Sequence, residues 1–315
     1  MTVLAQLLDN PFDNQLFIPA VVRVAALLVA ALAVVGVVER KRLRQIRESS
    51  LFQKIFSWSV MAPTFLAAIF VGGPIGLIVV GFLIVQGLAE YVRLVGIARR
   101  YAWLLVASGV ATLIFTGALA NYFLLAPLAF VVAVTLLPIV SGDVHDAHRQ
   151  VTSSLFGYIY IPFSLSYLVF INVIEVDGLE ILLLVGLSVA LSDIFAFIIG
   201  STVQGPKLAP QVSPNKTWAG AVGNLVGAYI GWSLMWFALP DDWSLTTRVI
   251  TPAVIGAAAL YGDLIQSFIK RDFAVKDAGD LLPGFGGLLD RIDSLLLALP
   301  ISYYAIVLTQ HFTFT

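Results

Sequence analysis

Continuous runs of Leu, Val, Ile, Ala and Phe recur along the chain, separated by short polar intervals, and they lack the apolar-polar alternation of a half-buried strand. The runs at 17–38, 56–72, 74–96, 101–118, 121–140, 155–173, 179–200, 217–239, 247–265 and 294–312 each suffice to cross roughly 30 Å of hydrocarbon as a helix. Within lipid a backbone must satisfy its own hydrogen bonds, so the pattern predicts an all-α, polytopic integral membrane protein of about ten transmembrane helices and excludes a β-barrel. No Lys or Arg precedes residue 17, so the first run reads as a retained helix and not as a cleavable signal.

Composition agrees. The chain is 59% hydrophobic and 12% charged, against roughly 45–50% and 25% in soluble domains, with a mean hydropathy of +0.95. Cysteine is absent, which removes disulfides, thiolate metal sites and Cys nucleophiles. The intervals alternate in charge. Arg40, Lys41, Arg42, Arg44, Arg47 and Lys54, then Arg99 and Arg100, Arg149, Lys207 and Lys216, and Lys270, Arg271, Lys276 and Arg291 fall in every second interval; Asp9, Asp13, Glu175, Asp177, Asp241 and Asp242 fall in the others, with Arg248 as the exception. The positive-inside rule then puts the basic intervals in the cytoplasm and both termini outside, in the cell's inner membrane. The net charge of −1 gives no reason to expect a nucleic-acid partner, and the Arg-rich interval at 39–47 suits anionic lipid headgroups as well as topology.

No Ser-, Gly- or Pro-rich linker and no fixed-period repeat divides the chain, so residues 1–315 read as a single membrane domain, with the polar residues that lie within or beside spans gathered over 190–293. An ionisable residue in hydrocarbon costs several kcal/mol unless it faces protein or water. Asp193, in the middle of an apolar run, is therefore either a ligand for metal or substrate or a helix-helix hydrogen-bond partner. Glu90 is expected to pair with Arg93 one turn on. Arg23 is expected to snorkel, without a chemical role.

The interval 200–220, GSTVQGPKLAPQVSPNKTWAG, carries several Gly and Pro and the polar residues Lys207, Ser213, Lys216 and Thr217. Its end opens a helix, with Ser213 or Asn215 as the expected cap, and free N–H groups beside a lysine make an anion site. Downstream, Asp263, Ser267, Lys270 and Arg271 share one helix face. Lys276, Asp277, the turn Pro283-Gly284-Phe285-Gly286-Gly287, and Asp290, Arg291 and Asp293 follow. Carboxylates three residues apart, among cations and glycines that allow close backbone approach, suit Mg²⁺ and phosphate chemistry, in which charge neutralisation and in-line positioning dominate.

At these residues the chain resembles the phosphatidate cytidylyltransferase (CDP-diglyceride synthetase) family, as a member or a divergent paralogue. The family signature runs Ser-x-x-Lys-Arg, Lys-Asp, Pro-Gly-His-Gly-Gly, Asp-Arg-x-Asp; here SFIKRDFAVKDAGDLLPGFGGLLDRID spans Ser267 to Asp293, and Gly262-Asp263, SPNKT and SDIFAFIIG match as well. The resemblance covers residues 190–310 by motif. It implies an enzyme that joins CTP and phosphatidic acid into CDP-diacylglycerol and pyrophosphate with Mg²⁺, and with a second cation as an option. Asp263, Asp290 and Asp293 are its implied metal ligands. Lys270, Arg271, Lys276, Asp277 and Arg291, with Asp263, are implied in catalysis; Lys207, Ser213, Lys216, Thr217, Ser267, Gly286, Gly287 and Asp193 are expected to bind substrate. Its implied partners are CTP, a lipid phosphate, membrane lipids and a second copy in a homodimer. The chain departs from the pattern at Phe285, where the family usually has His, and at Ala219, where Glu is common; both departures motivate a different lipid phosphate as acceptor. A transporter of lipid or ions is the rival class, but such proteins bind at the midplane between repeats.

Overall fold

The computed structural model of the protein describes residues 11–38, 50–71, 73–275, 278–279 and 286–311. Lys276, Asp277, Phe285 and the whole Arg-rich 39–47 interval lie outside the described residues. A helix stands at each of the ten predicted runs: α1 Phe17–Val38, α2 Ser50–Phe70, α3 Gly73–Val95, α4 Arg99–Ala118, α5 Ala126–Ser141, α6 Ala147–Tyr158 continuing into α7 Ser164–Ile174, α8 Gly178–Val203, α9 Trp218–Leu234, α10 Leu245–Asp272 and α11 Leu289–His311. Among the described residues, 7 helical segments are long and apolar enough to cross a membrane, so the architecture is an all-α polytopic membrane protein.

Two local departures matter for the site. The helix over 147–174 widens by one turn at Ile159–Phe163, around Pro162, which has no N–H to donate to the helical ladder. The widened turn delivers Tyr160, whose hydroxyl donates to the Gly262 carbonyl of α10 at 3.1 Å. The interval expected to be a loop at 200–220 contains a short antiparallel hairpin, β1 Lys207–Ala209 and β2 Ser213–Thr217, with Lys207 opposite Thr217. Thr217 caps α9, accepting from the Gly220 N–H at 3.1 Å. The expected caps Ser213 and Asn215 belong instead to β2, because strand pairing takes up the backbone there.

The close packing of α8 on α9 rests on glycine. A Cβ placed at Gly223 would stand 2.6 Å from the Phe195 carbonyl oxygen, one at Gly231 would stand 2.6 Å from that of Leu187, and Gly227 faces the Leu191 carbonyl in the same way. Helices in lipid gain little from hydrophobic exclusion, so such backbone-to-backbone contact is a main source of their association.

Asp177 and Asp242 meet at one end, where burial and then the Asp242 carboxylate hold the Asp177 carboxyl above its ordinary range. Arg248, the exception there, donates to the carbonyls of Trp243, Pro240 and Asp241, each at 3.0 Å, and so anchors the turn before α10. Arg23 does more than snorkel: its guanidinium sits 4.1 Å over the Phe237 ring.

Candidate active site at the basic end of the bundle

Four segments that are distant in sequence converge at the other end: the last turns of α3, β2, the end of α10 and the start of α11. Gly262 makes the convergence possible. A Cβ placed there would stand 2.5 Å from the Asp293 carbonyl oxygen and 3.3 Å from Ser294 Cα, so the α10 and α11 backbones approach with no room for an intervening side chain. One residue on, Asp263 receives Lys216 Nζ at 2.8 Å and the Ser267 hydroxyl at 3.4 Å. Lys216 also donates to the Leu260 carbonyl at 3.4 Å. Arg271 Nε reaches the Val212 carbonyl at 3.4 Å and ties the end of α10 to the hairpin.

Two turns further along α10, Lys270 Nζ donates to Asp290 Oδ1 at 2.7 Å in a largely buried ion pair. The Asp290 Oδ2 accepts the N–H groups of Ala278 at 2.8 Å and Gly287 at 3.2 Å. Asp290 thus ties the backbone at Ala278 and Gly287 to the first turn of α11. Gly286 has φ of +83°, a conformation that favours glycine over any L residue.

Asp293 is buried, within electrostatic reach of Asp263, Asp193 and Lys270. Asp193 accepts the Ser294 hydroxyl at 3.1 Å, so the helix-helix hydrogen bond is present and stands beside Asp293. Tyr160 lies in the field of Asp263, Asp290 and Asp293. Lys207 is exposed and Ser213 half-buried in the hairpin, and neither hydrogen-bonds to these carboxylates. Arg291 occupies the first turn of α11.

Among the described residues no three acidic or histidine side chains converge as a ready-made cation cage. The donor set still suits Mg²⁺, which takes one or two carboxylates and completes its shell with water and substrate phosphates. Asp263 is partly exposed and neighbours Asp293. Gln266, one turn along α10 from Asp263, is fully buried with neither amide atom hydrogen-bonded, which leaves polar valence at this end for a bound group.

Sequence reading missed the largest contributor from the first half of the chain. Glu90 does not turn to Arg93; it accepts the N–H groups of Leu288 and Leu289, each at 2.9 Å, and the Gln86 amide at 3.1 Å. The start of α11 offers unsatisfied N–H donors that outcompete a neighbouring guanidinium able to reach water. Its position within an apolar run and its charge were the available signal.

Fold and site together define a multi-span membrane protein with lysine-carboxylate chemistry gathered at one end of its bundle, suited to phosphate groups. The cytidylyltransferase family matches residues 52–309, and the chain belongs to that family. It is 33% identical over 188 residues to a phosphatidate cytidylyltransferase of Rickettsia bellii (strain RML369-C), a match covering 57% of this chain and 80% of that protein. It is 38% identical over 149 residues to the protein of the same name in Brucella abortus biovar 1 (strain 9-941), covering 47% of this chain and 54% of that one. An uncharacterised protein of Escherichia coli (strain K12) is 34% identical over 189 residues, covering 59% of this chain and 63% of its own.

Proposed function

We propose that the protein is a CTP-dependent nucleotidyltransferase that converts phosphatidic acid and CTP into CDP-diacylglycerol and pyrophosphate, a step of phospholipid synthesis. The single observation that carries this reading is the convergence of Lys216–Asp263, Lys270–Asp290 and Asp293 at one end of the bundle. The names of the Rickettsia and Brucella relatives support it. A non-bridging oxygen of the lipid phosphomonoester attacks the α-phosphorus of CTP. The bond from that phosphorus to the α,β-bridging oxygen breaks, and pyrophosphate leaves with the bonding electrons. Lys216, Lys270 and Arg271 lower the repulsion between two anionic substrates and hold them in line, the main requirement of such transfers. Lys276, Asp277, Arg291, Lys207, Ser213, Thr217, Ser267, Gly286 and Gly287 contribute phosphate contacts and loop shape. Asp263 and Asp293, with Asp290, would hold Mg²⁺, which supplies charge neutralisation at the triphosphate.

In this reading the basic end faces the cytoplasm of the inner membrane, where CTP is available and the lipid phosphate lies at headgroup depth; the excess of Arg and Lys at that end supports it. Assembly as a homodimer rests on the family resemblance alone. A second reading, another lipid phosphate as acceptor, is favoured by Phe285 and Ala219.

Purified protein in detergent is expected to turn over CTP with phosphatidic acid and Mg²⁺, to stop in EDTA, and to recover on addition of Mg²⁺. Weighing the lipid product from a mixed-lipid assay separates the two acceptors, and silence with every lipid phosphate would sink both. Lys216→Met removes the cation between hairpin and α10 while keeping its apolar stem. Because Asp263 is partly solvated, stability should change by about 1 kcal/mol or less. The kcat/KM for CTP should fall about 10²–10³-fold, the scale of losing one charge-stabilising donor. A variant within about threefold of wild type would remove Lys216 from the phosphate site.

A further inference from the structure

We propose that Glu90, on α3, is a positioning residue for the reaction: it fixes the first turn of α11, and through that turn sets where Asp290 and Asp293 stand. The inference rests on the reading of those aspartates as part of the reaction site.

Three observations converge on it. The carboxylate is 2% exposed and takes two consecutive backbone N–H groups, one on each oxygen, a bidentate grip that fixes both position and rotation of the helix start. Gln86 holds the carboxylate from its own helix. Gly279 and Gly287 are shaped to it: a Cβ at Gly279 would find Glu90 Cγ at 2.8 Å, Cδ at 2.9 Å and Oε1 at 3.1 Å as its three nearest neighbours, and Gly287 faces Glu90 Oε2. Both backbone segments that Asp290 joins, at Ala278 and Gly287, therefore wrap the same buried side chain. Two carboxylates hold one junction. Asp290 ties the segments together, and Glu90 ties the junction to the bundle. A negative charge at the N-terminus of α11 is also favoured by the helix dipole. Displacement of this turn moves Asp290 and Asp293 as a unit, and misplacement by about 1 Å at such a site can cost about a hundredfold in rate.

Two experiments test this. Glu90→Gln keeps the size of the side chain but turns an amide N–H toward a backbone N–H. The kcat/KM for CTP should fall by about tenfold to a hundredfold, by more than the loss of folded protein accounts for, and Glu90→Ala should behave alike. If instead kcat falls only in proportion to the folded fraction while the KM for CTP stays at the wild-type value, Glu90 is structural filler and the proposal is overturned. The second experiment is a double-mutant cycle in thermal stability, which needs no turnover. Gly279→Ala should lower Tm in the wild-type background and have little effect in the Glu90→Ala background, where the obstructing atoms are gone. Equal shifts in both backgrounds would overturn the proposed contact. If wild-type protein turns over no CTP, the reaction assignment fails, while the stability cycle still decides whether Glu90 holds the junction.

Discussion

Asp290→Asn should abolish most activity and destabilise the protein together. The Asp290 carboxylate accepts three donors, Lys270 Nζ and the N–H groups of Ala278 and Gly287. An asparagine has one acceptor oxygen, and its amide nitrogen would face a donor. Lys270 would be left largely buried without its counter-charge, a change that costs about 3–5 kcal/mol when one partner of a buried pair is removed. The backbone at Ala278 and Gly287 would lose its tie to α11, so the kcat/KM for CTP should fall by at least about a hundredfold. Turnover with CTP and a Tm measurement on the same preparation check both halves. Activity within about fivefold of wild type would mean that the tie through Asp290 does not matter to the reaction. Lys270→Met combined with Asp290→Asn should recover part of the stability, because no isolated charge then remains, but none of the activity.

Gly227→Leu should be the most damaging single change away from the site. The added Cβ would run into the Leu191 carbonyl of α8, which is backbone and cannot rotate aside. Overpacking against mobile side chains costs about 1–3 kcal/mol; against backbone the helices must separate, and the losses at Gly223 and Gly231 follow along the same face. Loss of a monodisperse species on size exclusion in detergent, or a fall in Tm larger than that of Asp290→Asn, is the expected result. Gly81→Ala is the control. Its Cβ would meet only Leu113 Cδ2 at 3.5 Å, an ordinary contact, and its Tm should stay near wild type. A Gly227→Leu protein as stable as Gly81→Ala would show that α8 and α9 are not held by close backbone contact. Activity should be lost with the packing, since Thr217 caps α9 and Lys216 immediately precedes it.

The helical spans were legible because the requirement that sets them is local. A backbone in lipid has to satisfy its own hydrogen bonds, so length and apolarity alone predict where helices run. The polar face of α10 was legible for a related reason: Asp263, Ser267 and Lys270 recur at helical spacing on one element, so their shared face follows from geometry within α10. Arg248 shows the limit of a charge rule, since nearby carbonyls satisfy it at the end where cations are few.

By itself, then, the sequence determined the class of molecule, where its apolar helices run and which residues were candidates for the site. Only the tertiary structure decided which cation meets which carboxylate: Lys216 with Asp263 across 47 positions in the numbering, and Lys270 with Asp290 between the end of one helix and the start of the next. It also decided that Thr217 and not Ser213 caps α9, that Asp193 faces Ser294, and that Glu90 holds α11. These choices depend on which backbones can approach each other, and approach is governed by glycines such as Gly262, Gly279 and Gly287 whose partners lie on other helices. A sequence displays the missing side chain at such a position, but what fills the space belongs to the packed bundle.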